Sequence, residues 1–312
     1  MLQTVSKAFF HILAGSKTLK RTASRYGMRP RGFARRFIAG ESVEEAIEAA
    51  RQIEAAGLLV TLDHLGEAVG SVAEADAATR AYIGLLDRIA SAGIERNVSL
   101  KLTQLGLTVD RATCVDNLRR ILDAATAKSF FVRIDMEDSP YTAVTLEIFE
   151  TIWQLGYRNA GVVLQSCVRR SEEDAAHMNA LGARVRLVKG AYKEPTKVAF
   201  QAKSDVDAAF LRIMKVLLMG GHYPAIATHD SAMIAATRAY AAERAVAPSA
   251  FEFQMLYGIR RDLQASLARD GFRLRVYVPF GREWFPYFMR RLGERPANAT
   301  FVLRSLLSER RA

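Results

Sequence analysis

Two adjacent arginines, Arg290 and Arg291, stand near the C-terminus in the stretch Trp284-Phe-Pro-Tyr-Phe-Met-Arg290-Arg291-Leu-Gly-Glu294. Neighbouring guanidinium groups can grip one carboxylate or phosphate through paired, charge-assisted hydrogen bonds. Taken alone, the same pair reads equally as a solvated basic face. Further reactive side chains occur where apolar runs stop: Asp63 with Glu67, Lys101, Asp135, Gln165, Arg186 with Lys189, Thr228 with His229 and Asp230, Gln254, and Tyr277. Lys101 lies between Leu100 and Leu102. Burial there would lower its pKa and make it a proton acceptor or a Schiff-base nucleophile; an ion pair with a carboxylate such as Asp135 is the structural alternative. Lys189-Gly190-Ala191-Tyr192 sets small residues beside a lysine, which lets the backbone approach a bulky ligand. His64 and His229 are isolated and no two histidines stand at ligand spacing, so no metal site is expected. A serine triad lacks its GxSxG elbow.

The elements that must position these residues alternate along the chain. Ser42, with Glu45 three residues on, opens a helix with a capping box. Gly57 ends it, and Leu58–Asp63 reads as a buried strand. Helical stretches then recur at 72–92, 111–127, 141–155, 172–181, 200–219, 233–245 and 259–270. Strands are expected at 98–103, 131–135, 161–165, 184–188, 224–228, 251–254 and 274–278, the last stopped by Pro279 and Gly281. The strands are dense in Val, Ile and Leu rather than strictly alternating, as in a parallel sheet covered by helices. Eight such units in about 250 residues predict a closed (β/α)8 barrel. Its chemistry belongs at the C-terminal strand ends, where the polar residues fall. An open doubly wound sheet would carry a glycine-rich phosphate loop, and Asp63-His-Leu-Gly66-Glu67 is not one. Trp284, Phe285, Phe288 and Leu292 place an apolar stripe on a final helix, with Pro286 tolerated in its first turn.

Half of the 312 residues are hydrophobic and a quarter are charged, as in a soluble globular protein with a sizeable core. Cys114 and Cys167 are far apart and form no CxxC or Cys/His cluster, which excludes a disulfide framework and fits a reducing compartment. No apolar run approaches the roughly 20 residues that span a bilayer. No linker divides the chain, so one domain is expected over 1–312, with an N-terminal helical extension over about 1–41. The net charge of +11 is concentrated at that end, where no Asp or Glu precedes Glu41 and nine lysines and arginines do. The basic start fits a transit peptide, a membrane-surface helix or an ordinary packed helix. It carries no base-reading helix and no RNA-binding aromatic motif, so nucleic acid is not an expected partner.

Together, Leu100-Lys-Leu-Thr-Gln-Leu-Gly106, Arg133-Ile-Asp-Met-Glu-Asp-Ser139, Arg186-Leu-Val-Lys-Gly-Ala-Tyr192, Ala227-Thr-His-Asp230, Phe251-Glu-Phe-Gln-Met-Leu-Tyr-Gly258, and Tyr277-Val-Pro-Phe-Gly281 with Arg290-Arg291 resemble the proline dehydrogenase family, in its short monofunctional bacterial type. The resemblance runs from about Phe37 to Leu307. It implies a distorted barrel with its last helix over the mouth. It implies FAD-dependent oxidation of L-proline to Δ1-pyrroline-5-carboxylate by hydride transfer, as the first step of proline catabolism, with electrons passed to a membrane quinone. By similarity, Arg290 and Arg291 clamp the substrate carboxylate, Lys101 contacts substrate and keeps its amine unprotonated, and Tyr277 and Leu256 wall the ring. Asp135 and Arg186 match the family's active-site pair. Met136, Gln165, Arg186, Lys189, Gly190, Ala191, Tyr192, Thr228 and His229 match flavin-contacting positions, and Glu67 resembles a gate residue that pairs with one of the two arginines. The resemblance also implies a cytoplasmic protein with peripheral contact on the inner face of the cell membrane. The chain departs from the family at Ser166-Cys167, where Ala-Tyr is common, and at Phe280, where tyrosine is common. Two rival readings are a Schiff-base lyase of aldolase type using Lys101 or Lys189, and a non-catalytic lipid-surface protein.

Overall fold

In the computed structural model, residue 28, residues 32–66 and residues 68–294 are described, Phe33 and residues 290–294 by their backbone alone. Helix α1 (Val43–Ala55) begins at Ser42, whose hydroxyl accepts from the Glu45 amide while Glu45 returns to the Ser42 amide at 3.2 Å, the expected capping box. Strand and helix then alternate: β1 (Leu59–His64), α2 (Val72–Ala92), β2 (Asn97–Leu100), α3 (Arg111–Ala127), β3 (Phe131–Ile134), α4 (Ser139–Gln154), β4 (Ala160–Gln165), α5 (Ser171–Leu181), β5 (Arg184–Val188), α6 (Lys203–Gly220), β6 (Ala225–Ala227), α7 (Ser231–Glu243), β7 (Glu252–Leu256), α8 (Arg261–Arg269), β8 (Leu274–Phe280) and α9 (Trp284–Glu294). The eight strands form one closed barrel in sequence order, β8 pairing in parallel with β1.

Most strand boundaries lie within a residue or two of expectation, and the ends of β2 and β8 have a clear cause. β2 stops at Leu100, because Thr103–Leu105 winds into a 3-10 turn, and this leaves Lys101 on the loop at the strand's tip. β8 runs through Pro279 to Phe280. Proline has no N–H to give, but its carbonyl is used by the Ala39 amide at 2.9 Å.

The strands also alternate, contrary to the reading of uniform apolar runs. Val60, Leu62, Val98, Leu100, Val132 and Ile134 are buried in one cluster with Tyr82, Leu86, Leu118, Ile121 and Phe149 of the surrounding helices. The intervening residues meet inside the barrel. Arg186 on β5 reaches Ser99 on β2 at 3.1 Å, and Tyr277 on β8 reaches Asp135 at the tip of β3 at 2.9 Å, although neither pair lies on neighbouring strands. The apolar core is therefore the shell between sheet and helices, and the lumen is polar.

The lower lumen is held by paired charges. Arg275 bonds Glu252 at 2.8 Å and Glu95 at 3.0 Å, and Arg133 donates to the carbonyls of Val162 and Arg184 at 2.8 and 2.6 Å. Gly161 makes room for Arg133, since a Cβ there would stand 2.7 Å from its Nη1. At the upper end, Trp284, Phe285 and Phe288 of α9 pack with Phe37, Ile38, Leu65 and Tyr277 in a second apolar cluster. The indole N–H of Trp284 donates to Glu41 at 2.9 Å. The apolar stripe of α9 thus seats that helix on the C-terminal mouth.

Candidate active site

Five strands contribute to one network. Asp135, just past β3, accepts from Arg186 Nη1 at 2.7 Å on one oxygen and from the Tyr277 hydroxyl at 2.9 Å on the other. Ser99 takes the second arm of Arg186 and meets Thr61 of β1 at 3.3 Å. The Arg186 guanidinium also lies 5.4 Å from the centre of the Tyr277 ring. Burial raises the Asp135 carboxyl above its usual range, and the Arg186 and Lys101 charges oppose that shift. Burial, then the Asp135 carboxylate, raises the Tyr277 phenol, so this hydroxyl stays a donor. Arg186 Nε is buried with no acceptor among the described residues.

Lys101 faces the same space, but not as a neutral amine. Its Nζ stands 3.3 Å from the fully buried carboxylate of Asp63, rather than pairing with Asp135. Burial is the largest single influence and acts downward. The charges around it, Asp63 first, then Asp135, Tyr192 and Glu137, together outweigh burial and raise the ammonium above its ordinary value. The expected proton acceptor or Schiff-base nucleophile is instead a fixed positive charge. A lone lysine between two leucines would have been desolvated; β1 and β3 bring the two largest of the charges that oppose that shift.

A second group of residues lines β4 to β7. Lys189 is held between Asp207 of α6 at 2.5 Å and Asp230 at 2.7 Å. The hydrogen bond from Lys189 is the main reason that the Asp230 carboxyl drops to about 2. Gly190 has φ +101°, and a Cβ there would run into Cys167 Sγ and stand 2.9 Å from Gln165 Oε1. This is where the Ser166-Cys167 departure falls: a small, buried thiol fills the space against Gly190. The amide of Gln165 donates to the Glu137 carbonyl at 2.7 Å. His229 Nε2 accepts from the Leu256 amide at 2.9 Å, which places any ring proton on Nδ1, and Thr228 Oγ1 accepts from the Asp230 amide at 3.1 Å. Met136 is buried beside Asp135, while Ala191 and Tyr192 are half-buried on the loop after β5. The other departure, Phe280, stacks on the imidazole of His64 with ring centres 5.2 Å apart. Burial lowers the pKa of that imidazole.

Tyr277 and Leu256 both lie against the cluster formed with α9. The backbone of Arg290 and Arg291 is in α9, whereas their side chains, and Glu67 altogether, lie outside the described residues. The basic N-terminal stretch up to Gly27 is outside them as well. Among the described residues, no group of His, Cys, Asp and Glu could hold a metal ion.

Four contributors escaped the sequence reading. Ser99 could have been found from its i, i+2 spacing to Lys101, had the strands been read as alternating. Glu137 and Thr103 sit inside the motifs, and their mutual contact gives no sequence signal. Asp207 is a helix residue one turn after Lys203, and nothing in its spacing points to Lys189.

The chain matches the family described as Proline dehydrogenase over residues 46–304. It is 42% identical over 300 residues to Proline dehydrogenase 1 of Bacillus subtilis, covering 96% of this chain and 98% of that protein. It is also 42% identical over 278 residues to the Proline dehydrogenase of Deinococcus radiodurans, covering 88% and 90%. Among solved structures it is similar to proline utilization A (PutA) from Bdellovibrio bacteriovorus inactivated by N-propargylglycine, with TM-score 0.78 and 29% identity, covering 83% of this chain and 32% of that one. Matched over most of its length, and with charged strand tips converging at the mouth of its barrel, the chain belongs to the proline dehydrogenase family of enzymes, which oxidise proline in its catabolism.

Proposed function

We propose that this enzyme oxidises L-proline to Δ1-pyrroline-5-carboxylate with FAD as cofactor, and that the electrons pass on to a membrane quinone. The observation that carries the reading is the set Asp63, Lys101, Asp135, Arg186 and Tyr277, joined at the mouth of a family barrel. The residues fit a flavin. Gly190 leaves a surface that a Cβ would disturb, and Arg186 Nε is a buried donor without an acceptor among the described residues. Met136, Gln165, Arg186, Lys189, Gly190, Ala191, Tyr192, Thr228 and His229 would hold it. Bound there, the cofactor supplies the acceptor for a hydride.

The protein's part is to bind and orient. Arg290 and Arg291 are the clamp for the substrate carboxylate, and Glu67 is the gate that pairs with one of them when substrate is absent. Tyr277 and Leu256 wall the ring. Oxidation at the carbon beside nitrogen needs a free nitrogen lone pair. The Lys101 ammonium, paired with Asp63, provides a positive charge that disfavours the protonated amine. Asp135 and Arg186 hold each other and Tyr277 in place, and positioning of this kind can supply much of a rate acceleration. The lyase reading loses its nucleophile, because Lys101 and Lys189 are both tied to carboxylates. Among the described residues no helix is long and apolar enough to cross a membrane.

The test is an anaerobic visible spectrum of the purified protein before and after L-proline. The expected result is a flavin band near ~450 nm that bleaches. A band indifferent to proline would overturn the substrate, and no band even after added FAD would overturn the cofactor.

A further inference from the structure

Glu137 has no role in the scheme above, yet it is a half-buried carboxylate just past β3, two residues after Asp135. Both of its oxygens are used, and by one residue. Thr103 Oγ1 donates to Oε1 at 2.6 Å and the Thr103 amide donates to Oε2 at 3.2 Å. Its own main-chain carbonyl accepts from Gln165 at 2.7 Å. Glu137 therefore ties the tips of β2, β3 and β4 together.

The Thr103 end of that tie matters most. Thr103 opens the 3-10 turn that ends β2, two residues after Lys101. The same turn reaches the β1 side, where the Val69 amide donates to the Thr103 carbonyl at 3.3 Å and Gln104 donates to the His64 carbonyl at 3.4 Å. Among the described residues Lys101 itself is held only by a long contact of 3.3 to 3.4 Å to Asp63, so its side chain alone does not fix where the ammonium sits. A long, flexible lysine stem depends on the backbone that carries it. An ionised carboxylate accepts from both Thr103 donors in charge-assisted bonds; a carboxamide accepts on its one oxygen and must donate to the Thr103 hydroxyl instead, which leaves two weaker, neutral bonds.

We propose that Glu137 is a positioning residue for proline oxidation: by gripping Thr103 twice it fixes the turn that carries Lys101 to the substrate. The inference rests on the substrate role given to Lys101 above.

The experiment measures KM and kcat for proline, the FAD dissociation constant and Tm of the holoenzyme in five variants: Glu137→Gln, Thr103→Val, Thr103→Ser, the double Glu137→Gln/Thr103→Val, and Lys101→Met. The expected result is a rise in KM of several-fold for Glu137→Gln, which turns two charge-assisted bonds into neutral ones, and of about tenfold for Thr103→Val, the scale of losing one hydrogen bond to a charged group. FAD affinity should stay within about twofold, because the bond from Gln165 goes to the main chain. Thr103→Ser, which keeps the hydroxyl, should restore KM, and the double variant should be little worse than Thr103→Val alone. If Lys101→Met raises KM while Glu137→Gln and Thr103→Val do not, the positioning role is wrong. If Lys101→Met leaves KM unchanged, the substrate role of Lys101 fails instead. Losses of FAD and Tm in step with KM would reduce Glu137 to a purely structural group and overturn the proposal.

Discussion

Gly190→Ala tests whether the loop after β5 is built for close approach. Gly190 has φ +101°, a conformation that costs an alanine about 1–2 kcal/mol. The new methyl would also overlap Cys167 Sγ and stand 2.9 Å from Gln165 Oε1. Overpacking of this kind costs about 1–3 kcal/mol. The thiol can swing about one torsion, so the lower half of that range applies, and the two effects together predict a loss of about 2–4 kcal/mol. Total stability for a domain is about 5–15 kcal/mol, so the loss is a large fraction of it. Equilibrium urea unfolding at neutral pH, with and without added FAD, measures it. The second variant, Gly190→Ala/Cys167→Ala, removes the overlap but not the backbone strain, and should recover about half of the loss. A Gly190→Ala protein within ~0.5 kcal/mol of the parent, on the scale of an ordinary surface substitution, would refute the geometry. A loss that Cys167→Ala leaves untouched would refute the overlap with Cys167 alone.

Two more outcomes follow from the charged groups. Asp135→Asn leaves the buried Arg186 guanidinium without its counter-charge but keeps one carbonyl oxygen. It should cost about 2–4 kcal/mol in urea unfolding, somewhat under the penalty for stripping a buried pair, and should cut kcat sharply; full turnover with a loss below ~1 kcal/mol would contradict the network. Asp230→Asn removes the carboxyl that its bond from Lys189 chiefly lowers from 3.8 to about 2, a depression equivalent to about 2 kcal/mol. Because the folded value lies below the unfolded one, this stabilisation is complete above about pH 4 and fades as pH falls through about 2. The stability gap between parent and variant should therefore be widest near neutrality and close in acid; a gap independent of pH would place the effect elsewhere, such as in the cap that Asp230 gives to α7.

How much of this was legible beforehand differs by residue. Local signals placed α1 by its capping box at Ser42 and Glu45, and three-to-four spacing bounded α2, α3 and α9 as found. The eight-fold alternation was enough to predict a closed barrel, since a helix after each parallel strand leaves few other arrangements. Reading the strands by hydrophobic density hid their alternation, and with it Ser99 and the polar lumen, because in strands of four to seven residues one or two polar residues look like interruptions. Motifs carried the family resemblance and the candidate site as a set of positions. They could not say which charge would meet which. Lys101 pairs with Asp63 instead of Asp135, Lys189 is held by Asp207 from the far side of a long loop, and Glu137 grips Thr103 across two strand tips. Those pairings join residues 18 to 38 positions apart. They set the protonation of Lys101 and the placement of its turn. Sequence by itself determines which side chains arrive at the mouth, because periodicity and strand ends are local properties. Tertiary structure alone decides their charge states and partners, because burial and Coulomb interaction depend on distance in space, and only closure of the barrel fixes that distance.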